Sequence, residues 1–87
     1  MLFNPGQFIL TPGALSLLEQ GIDLGAYLAR HLRGDWGDLC PDDLAANNQA
    51  LRRGLRLLSA YDTPCGPLWI LTEADRTTTT FLIPDEY

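Results

Sequence analysis

The chain's single histidine, His31, opens the segment HLRGDWGDLCPDD, where Asp35 and Asp38 follow within seven residues. A histidine beside carboxylates can hold a metal ion or act as a base of tuned pKa. Further along lie Arg56, Ser59 and Tyr61, and then Arg76 and Thr78 within TEADRTTTT. With His31 as base, Arg56 and Arg76 as phosphate clamps, and Ser59, Tyr61 or Thr78 polarising the attacked phosphate, this is the equipment of a metal-independent ribonuclease of the small toxin-like α+β type. That link is an analogy at the level of fold.

The same residues have plainer uses. A metal site at His31 lacks a second nitrogen or sulfur ligand, since Cys40 is the only nearby addition and one cysteine is not a zinc site. His31 alone on a helix stripe is expected to be a core residue, and no metal is expected. Asp35 and Asp38 suit hydrogen bonds to loop amides. Trp36 either plugs the core or stands exposed as an aromatic anchor for a partner. Asp75 suits turn chemistry and Thr77 to Thr80 fill a strand, while Arg76 is a candidate anion contact.

Composition narrows the classes. At 87 residues the chain is expected to form one domain, with no room for a catalytic and a regulatory unit side by side. Hydrophobic residues make up 46% and charged residues 20%, the balance of an ordinary globular protein. The net charge is -5, and six arginines occur without a lysine, so the average surface repels nucleic acid and leaves room only for local contacts. The start, MLFNPGQFILTPG, has no basic residue and is cut by prolines and glycines, which speaks against a signal peptide or a membrane span. A cytoplasmic location follows as the default, with Cys40 and Cys65 as free thiols.

The elements that must position these residues are legible in outline. Residues 7 to 11, QFILT, suit a short strand or extended arm. TPGALSLLEQG predicts a first helix capped by Thr11 and ended by Gly21, with Leu15 and Leu18 facing inward. From Asp23, the spacing of Leu24, Tyr27, Leu28, His31 and Leu32 predicts a second helix with His31 on its buried stripe. Pro41 and Asp42 open a third, which runs to about Arg53 and stops at Gly54; Leu44 and Leu51 point inward and Asn47 and Asn48 border the same face. LRLLSAY, PLWILTE and TTTTFLI then read as strands with both faces partly apolar. The expected fold is α+β: an N-terminal extended arm, three helices, then a three-stranded antiparallel β-meander packed on the helices, with its other side partly exposed or used for pairing.

With HLRGDWGDL, LRLLSAY and WILTEADRTTTTFLIPDEY placed, nearly the whole chain resembles a group of small plasmid-related proteins carried by bacterial plasmids and integrative elements. Those proteins share, in this order, the His, Gly-Asp-Trp-Gly-Asp, Ser-Ala-Tyr, Thr-Glu-Ala-Asp-Arg and closing Pro-x-Glu-Tyr motifs. The ending PDEY and the unbroken threonine tract are minor departures. The resemblance implies a mobile-element setting. Some of that group carry a label borrowed from type I restriction enzymes, which does not fit here: such subunits need a cofactor domain too large for this chain, and no glycine-rich nucleotide fingerprint follows any strand. No cofactor is implied.

Two classes therefore stand against each other. One is the ribonuclease, which requires His31, Ser59 and Arg76 to converge around a cleft. The other, preferred because residue types alone assemble no complete catalytic set, is a small acidic protein-interaction module of a mobile genetic element. Its partner would be a host or plasmid-encoded protein, such as a restriction or CRISPR factor that it counteracts. Trp36, Asp35, Asp38, Asp75 and Arg76 would be its contact set, and a homodimer through an uncovered third strand is compatible with it.

Overall fold

The computed structural model describes residues 1–87. Thr11 Oγ1 accepts the Ala14 N–H at 3.3 Å and Pro12 occupies the first helical position, which starts α1 (Pro12–Glu19). Asp23 accepts the Ala26 N–H at 3.2 Å and starts α2 (Leu24–Leu32), whose inner stripe buries Leu24 and His31. Helix α3 (Pro41–Arg53) carries Asp42 and Asp43 in its first turn and Arg52 and Arg53 in its last, matching the helix dipole, and stops at Gly54 in the left-handed conformation.

Helix α1 is rotated from its expected setting. Ala14 and Leu17 face the sheet, while Leu15 and Leu18 are exposed. Both pairs are spaced by three, so periodicity does not choose between them. A long-range contact does: the Glu86 carboxylate accepts the Thr11 hydroxyl at 2.5 Å and the Gly13 N–H at 2.9 Å, pinning the start of the helix. These bonds, with the Ile83 N–H, hold the Glu86 carboxyl below its ordinary range, the Thr11 bond contributing most.

The strands β2 (Leu57–Thr63), β3 (Gly66–Thr72) and β4 (Thr78–Leu82) form the expected antiparallel meander. The N-terminal arm corrects the expectation, because residues Gln7–Leu10 form a strand, β1, that pairs in parallel with β4. The α+β fold is thus built on a four-stranded mixed sheet of order β1-β4-β3-β2. The Gln7 N–H meets the Thr77 carbonyl at 2.9 Å and the Thr11 N–H meets the Phe81 carbonyl at 3.1 Å, so the free edge of β4 is filled from within the chain. A homodimer through that third strand of the meander is thereby removed. No helix is long and apolar enough to cross a membrane.

Helices α1 and α2 cover one face of the sheet. Leu57, Ser59, Tyr61, Leu68, Ile70, Thr72, Thr79 and Phe81 are buried there by strand alternation. The apolar residues divide into two clusters. Ala14, Leu17, Ile22, Leu24, Tyr61, Leu68, Ile70 and Phe81 form the larger. Trp36, Ala50 and Leu57 form the smaller, with Phe3, Leu39, Leu44 and Leu51 against them.

Candidate functional site

The GDWGD segment lies along the outer edge of β2. Gly34 and Gly37 both adopt positive φ, at 82° and 81°. Gly37 forms an isolated parallel bridge with Ala60. An added Cβ at Gly37 would fall 2.0 Å from the Ala60 carbonyl oxygen, so only glycine allows this approach. The Ala60 N–H donates to the Trp36 carbonyl at 3.0 Å, and its carbonyl accepts from the Asp38 N–H at 2.6 Å. The Asp38 carboxylate then accepts the Asp62 N–H at 3.0 Å. One step back along β2, the Asn47 side chain donates to the Leu58 carbonyl at 2.6 Å and accepts the Leu58 N–H at 3.1 Å. The outward-facing N–H and C=O of Leu58 and Ala60 and the N–H of Asp62 are engaged, which blocks further strand pairing along most of this edge.

Trp36 belongs to this seal and is not a surface anchor. It is 2% exposed, and its Nε1–H donates to Asn48 at 2.8 Å. The glycines on either side turn the backbone so that the indole drops into the smaller apolar cluster. Asp35 is held by Arg30 at 2.7 Å and accepts the Gly37 N–H at 3.3 Å; the Arg30 bond is the main reason its carboxyl lies below the ordinary range. Tyr61 donates to the Asp35 carbonyl at 2.6 Å, and burial raises its pKa to about 12.

His31 and Ser59 do come together, but within the core. Both are fully buried, with His31 Nδ1 2.5 Å from Ser59 Oγ and Nε2 2.9 Å from Thr72 Oγ1. The chain of bonds continues from Thr72 to Thr79 at 2.7 Å and ends on the Pro5 carbonyl, 2.7 Å from Thr79 Oγ1. A carbonyl can only accept, so each proton in the chain is assigned. Thr79 donates to Pro5, Thr72 donates to Thr79, and Thr72 must accept from a protonated Nε2. Nδ1 is left as the acceptor of the Ser59 hydroxyl. His31 is therefore the neutral Nε2–H tautomer, and burial, aided by the positive charge of Arg76, lowers its pKa to about 4. Phe3 and Trp36 pack edge-on against the imidazole, with ring centroids at 5.3 and 5.5 Å.

The remaining candidates are separate from this chain. Arg56 is paired with Glu73 at 3.0 Å on the surface. Arg76 adopts a positive φ of 59°, unusual for a residue with a side chain. Its Nη1 donates to the carbonyls of Leu55, Glu73 and Ala74 at 2.8, 3.0 and 3.3 Å, and its guanidinium lies over the Phe3 ring at 5.6 Å. These bonds lock the turn and occupy one end of the side chain expected to meet an anion. Asp75 accepts from both the N–H and the hydroxyl of Thr77, at 3.1 and 2.6 Å. Cys40 and Cys65 are free and exposed. No three His, Cys, Asp or Glu side chains stand close enough together to hold a metal ion.

The three surface depressions also avoid His31 and Arg76. The first, about 320 Å³, lies between α1, Cys65 and Ile83; the second, about 380 Å³, lies between α3 and Leu58; the third, about 260 Å³, lies beside Asp38, Asp62 and Trp69. Comparison of the chain with family models, curated proteins and solved structures gives no match.

The second face of the sheet, expected to be partly apolar and partly exposed, carries residues that were not among the candidate site residues. Strand register places Leu58, Leu71, Thr80 and Ile9 in one row across all four strands, and Ala60, Trp69 and Leu82 in the next. Leu58, Ala60, Trp69, Leu71 and Thr80 are half-buried there and Leu82 is buried, and Tyr87 packs on Trp69 at 5.3 Å between ring centroids. The signal was present in LLSAYDT and GPLWILT, where both alternating sets are largely apolar.

Proposed function

We propose that this protein is a small acidic interaction module whose contact surface is the open face of its sheet. The observation that carries this reading is the pair of rows just described, a largely apolar and only partly covered face, whereas α1 and α2 pack on the opposite one. The platform replaces the GDWGD loop as contact set, because Trp36 is buried and Asp35 and Asp38 are engaged within the chain. Excess negative charge favours a partner with a basic rim around an apolar centre. The resemblance to plasmid-related proteins supports a mobile-element setting, and from it a host defence factor of the restriction or CRISPR kind as the partner. The ribonuclease reading has no comparable support, since both ring nitrogens of His31 are bonded inside the core.

The experiment is a protection assay in bacteria with an active restriction or CRISPR system. The parent protein is expected to raise the efficiency with which incoming DNA becomes established. Leu71→Arg should abolish that protection with its unfolding transition close to the parent's. Trp69→Ala should weaken partner binding about 30-fold, corresponding to about 2 kcal/mol for a central aromatic. Equal protection by parent and Leu71→Arg would show that this face is not the contact surface, and no protection by the parent in any such host would overturn the defence role.

A further inference from the structure

The two edges of the sheet are treated in opposite ways. The β2 edge is closed at Leu58, Ala60 and the Asp62 N–H, whereas on β1 the ladder to β4 uses the odd residues, as the Gln7 and Thr11 N–H bonds show. In a parallel ladder a residue directs both its N–H and its C=O to the same side, so those of Phe8 and Leu10 point away from β4. The strand is flat in composition, QFIL, with no charge, proline or bulge to discourage pairing. Phe8, Ile9 and Leu10 are 52%, 46% and 39% exposed.

We propose that β1 pairs antiparallel with β1 of a second copy, about a two-fold axis through Ile9, to give one continuous eight-stranded sheet. The free groups fix the occupant as an extended strand, and the sequence makes a copy of itself fit. Centring on Ile9 sets Phe8 opposite the second copy's Leu10 and Leu10 opposite its Phe8. Each of these pairs exchanges both backbone hydrogen bonds, four in all, and uses every outward group of the two residues. Side chains match as well. Phe8 and Leu10 share the helix-covered face with Thr79 and Phe81, Phe8 meeting Phe81 edge-on at 6.0 Å, so their new partners on that face are apolar. Ile9 lies on the open face and meets its own copy. No carboxylate lies within the strand, so the net charge of -5 does not act at the contact itself.

The area sets the strength. Three side chains about half exposed, with their backbone, bury on the order of 300 Å² per protomer, well short of the roughly 800 Å² of a standard stable interface. The pairing is accordingly reversible and concentration-dependent. It extends the apolar platform across both copies and does not depend on what binds that platform.

Sedimentation of the full chain from about 10 μM to about 1 mM tests it, in the concentration range of a weak contact. The weight-average mass should climb toward that of a dimer, and Ile9→Lys, which sets two ammonium groups face to face, should keep it monomeric throughout. Register is tested in a Cys40→Ser/Cys65→Ser background. Mild oxidation should link Ile9→Cys as a disulfide dimer, because directly opposed residues bring their Cβ atoms within bonding range, and should leave Gln7→Cys, opposed to Thr11 of the second copy, unlinked. A parent that stays monomeric at the highest concentration, or a dimer that Ile9→Lys does not disturb, would overturn the proposal. So would cross-linking at residue 7 with none at residue 9.

Discussion

Asn47 holds the main chain of Leu58 at both of its hydrogen-bonding groups, with its amide nitrogen 2.6 Å from the carbonyl oxygen and its amide oxygen 3.1 Å from the backbone nitrogen. One helical side chain thus stands in for a neighbouring strand. The sheet is extended by a substitute that cannot itself be paired further, which is how α3 and the GDWGD segment together close an edge that would otherwise recruit other chains.

Asn47→Ala should therefore destabilise the protein by about 1–3 kcal/mol, the cost of leaving part-buried backbone groups of the edge strand β2 without partners. Asn47→Asp should fare little better, because a carboxylate can accept the Leu58 N–H but cannot donate to its carbonyl. Chemical denaturation checks both. Variants as stable as the parent would show that water replaces the amide without loss.

The tautomer of His31 gives the protein a pH dependence of definite sign. An unfolded histidine binds a proton at its ordinary pKa near 6.5, while in the fold that pKa is about 4. The unfolded state therefore holds more protons between these values, and stability falls as the pH drops from about 6.5 to 4, by up to about 3 kcal/mol. Below that window the loss from His31 ends, and Asp35 and Glu86, both held below their ordinary range, add theirs as they protonate. Denaturation curves at successive pH values should show the slope, and His31→Leu should flatten it between pH 6.5 and 4 while lowering stability overall by stranding Ser59 and Thr72. Replacing all three, as His31→Leu/Ser59→Ala/Thr72→Val, should recover part of that loss.

Trp36→Ala removes the largest side chain of the smaller cluster and is expected to cost about 3–5 kcal/mol, enough to unfold much of the population of a small domain. The loop carrying it should suffer equally from Gly37→Ala, since that methyl group meets the Ala60 carbonyl. A thermal transition unchanged in Trp36→Ala would mean that the indole is not needed to close the core.

Local features of the fold were readable from the residues. The cap at Thr11, the start of α2 after Asp23, the stop at Gly54, the stripe that buries His31 and the alternation of the three meander strands all follow from interactions between near neighbours. What escaped depends on partners far apart in sequence. Nothing in QFIL specifies β4 as its neighbour, some seventy positions later, and nothing in α1 distinguishes Ala14 and Leu17 from Leu15 and Leu18 until Glu86 arrives. The candidate site misled for a related reason. His31, Ser59, Arg56 and Arg76 have the right chemical types for catalysis, but residue type does not tell a proton carried to a substrate from one fixed between a histidine and a threonine in the core.

The parallel pairing of β1 with β4 also bears on how the protein is made. Strand β1 and the Pro5 carbonyl leave the ribosome early, but their partners Thr78 to Phe81 come some seventy residues behind, and Glu86, which fastens α1, comes later still. Helices can form as they emerge; the sheet cannot be completed until synthesis has passed β4. During that interval Phe8, Ile9 and Leu10 are an unpaired apolar strand on a growing chain, the period in which chaperone capture or mispairing competes most directly with folding. Slowing translation before residue 78 should therefore lengthen a vulnerable state without helping the fold to nucleate.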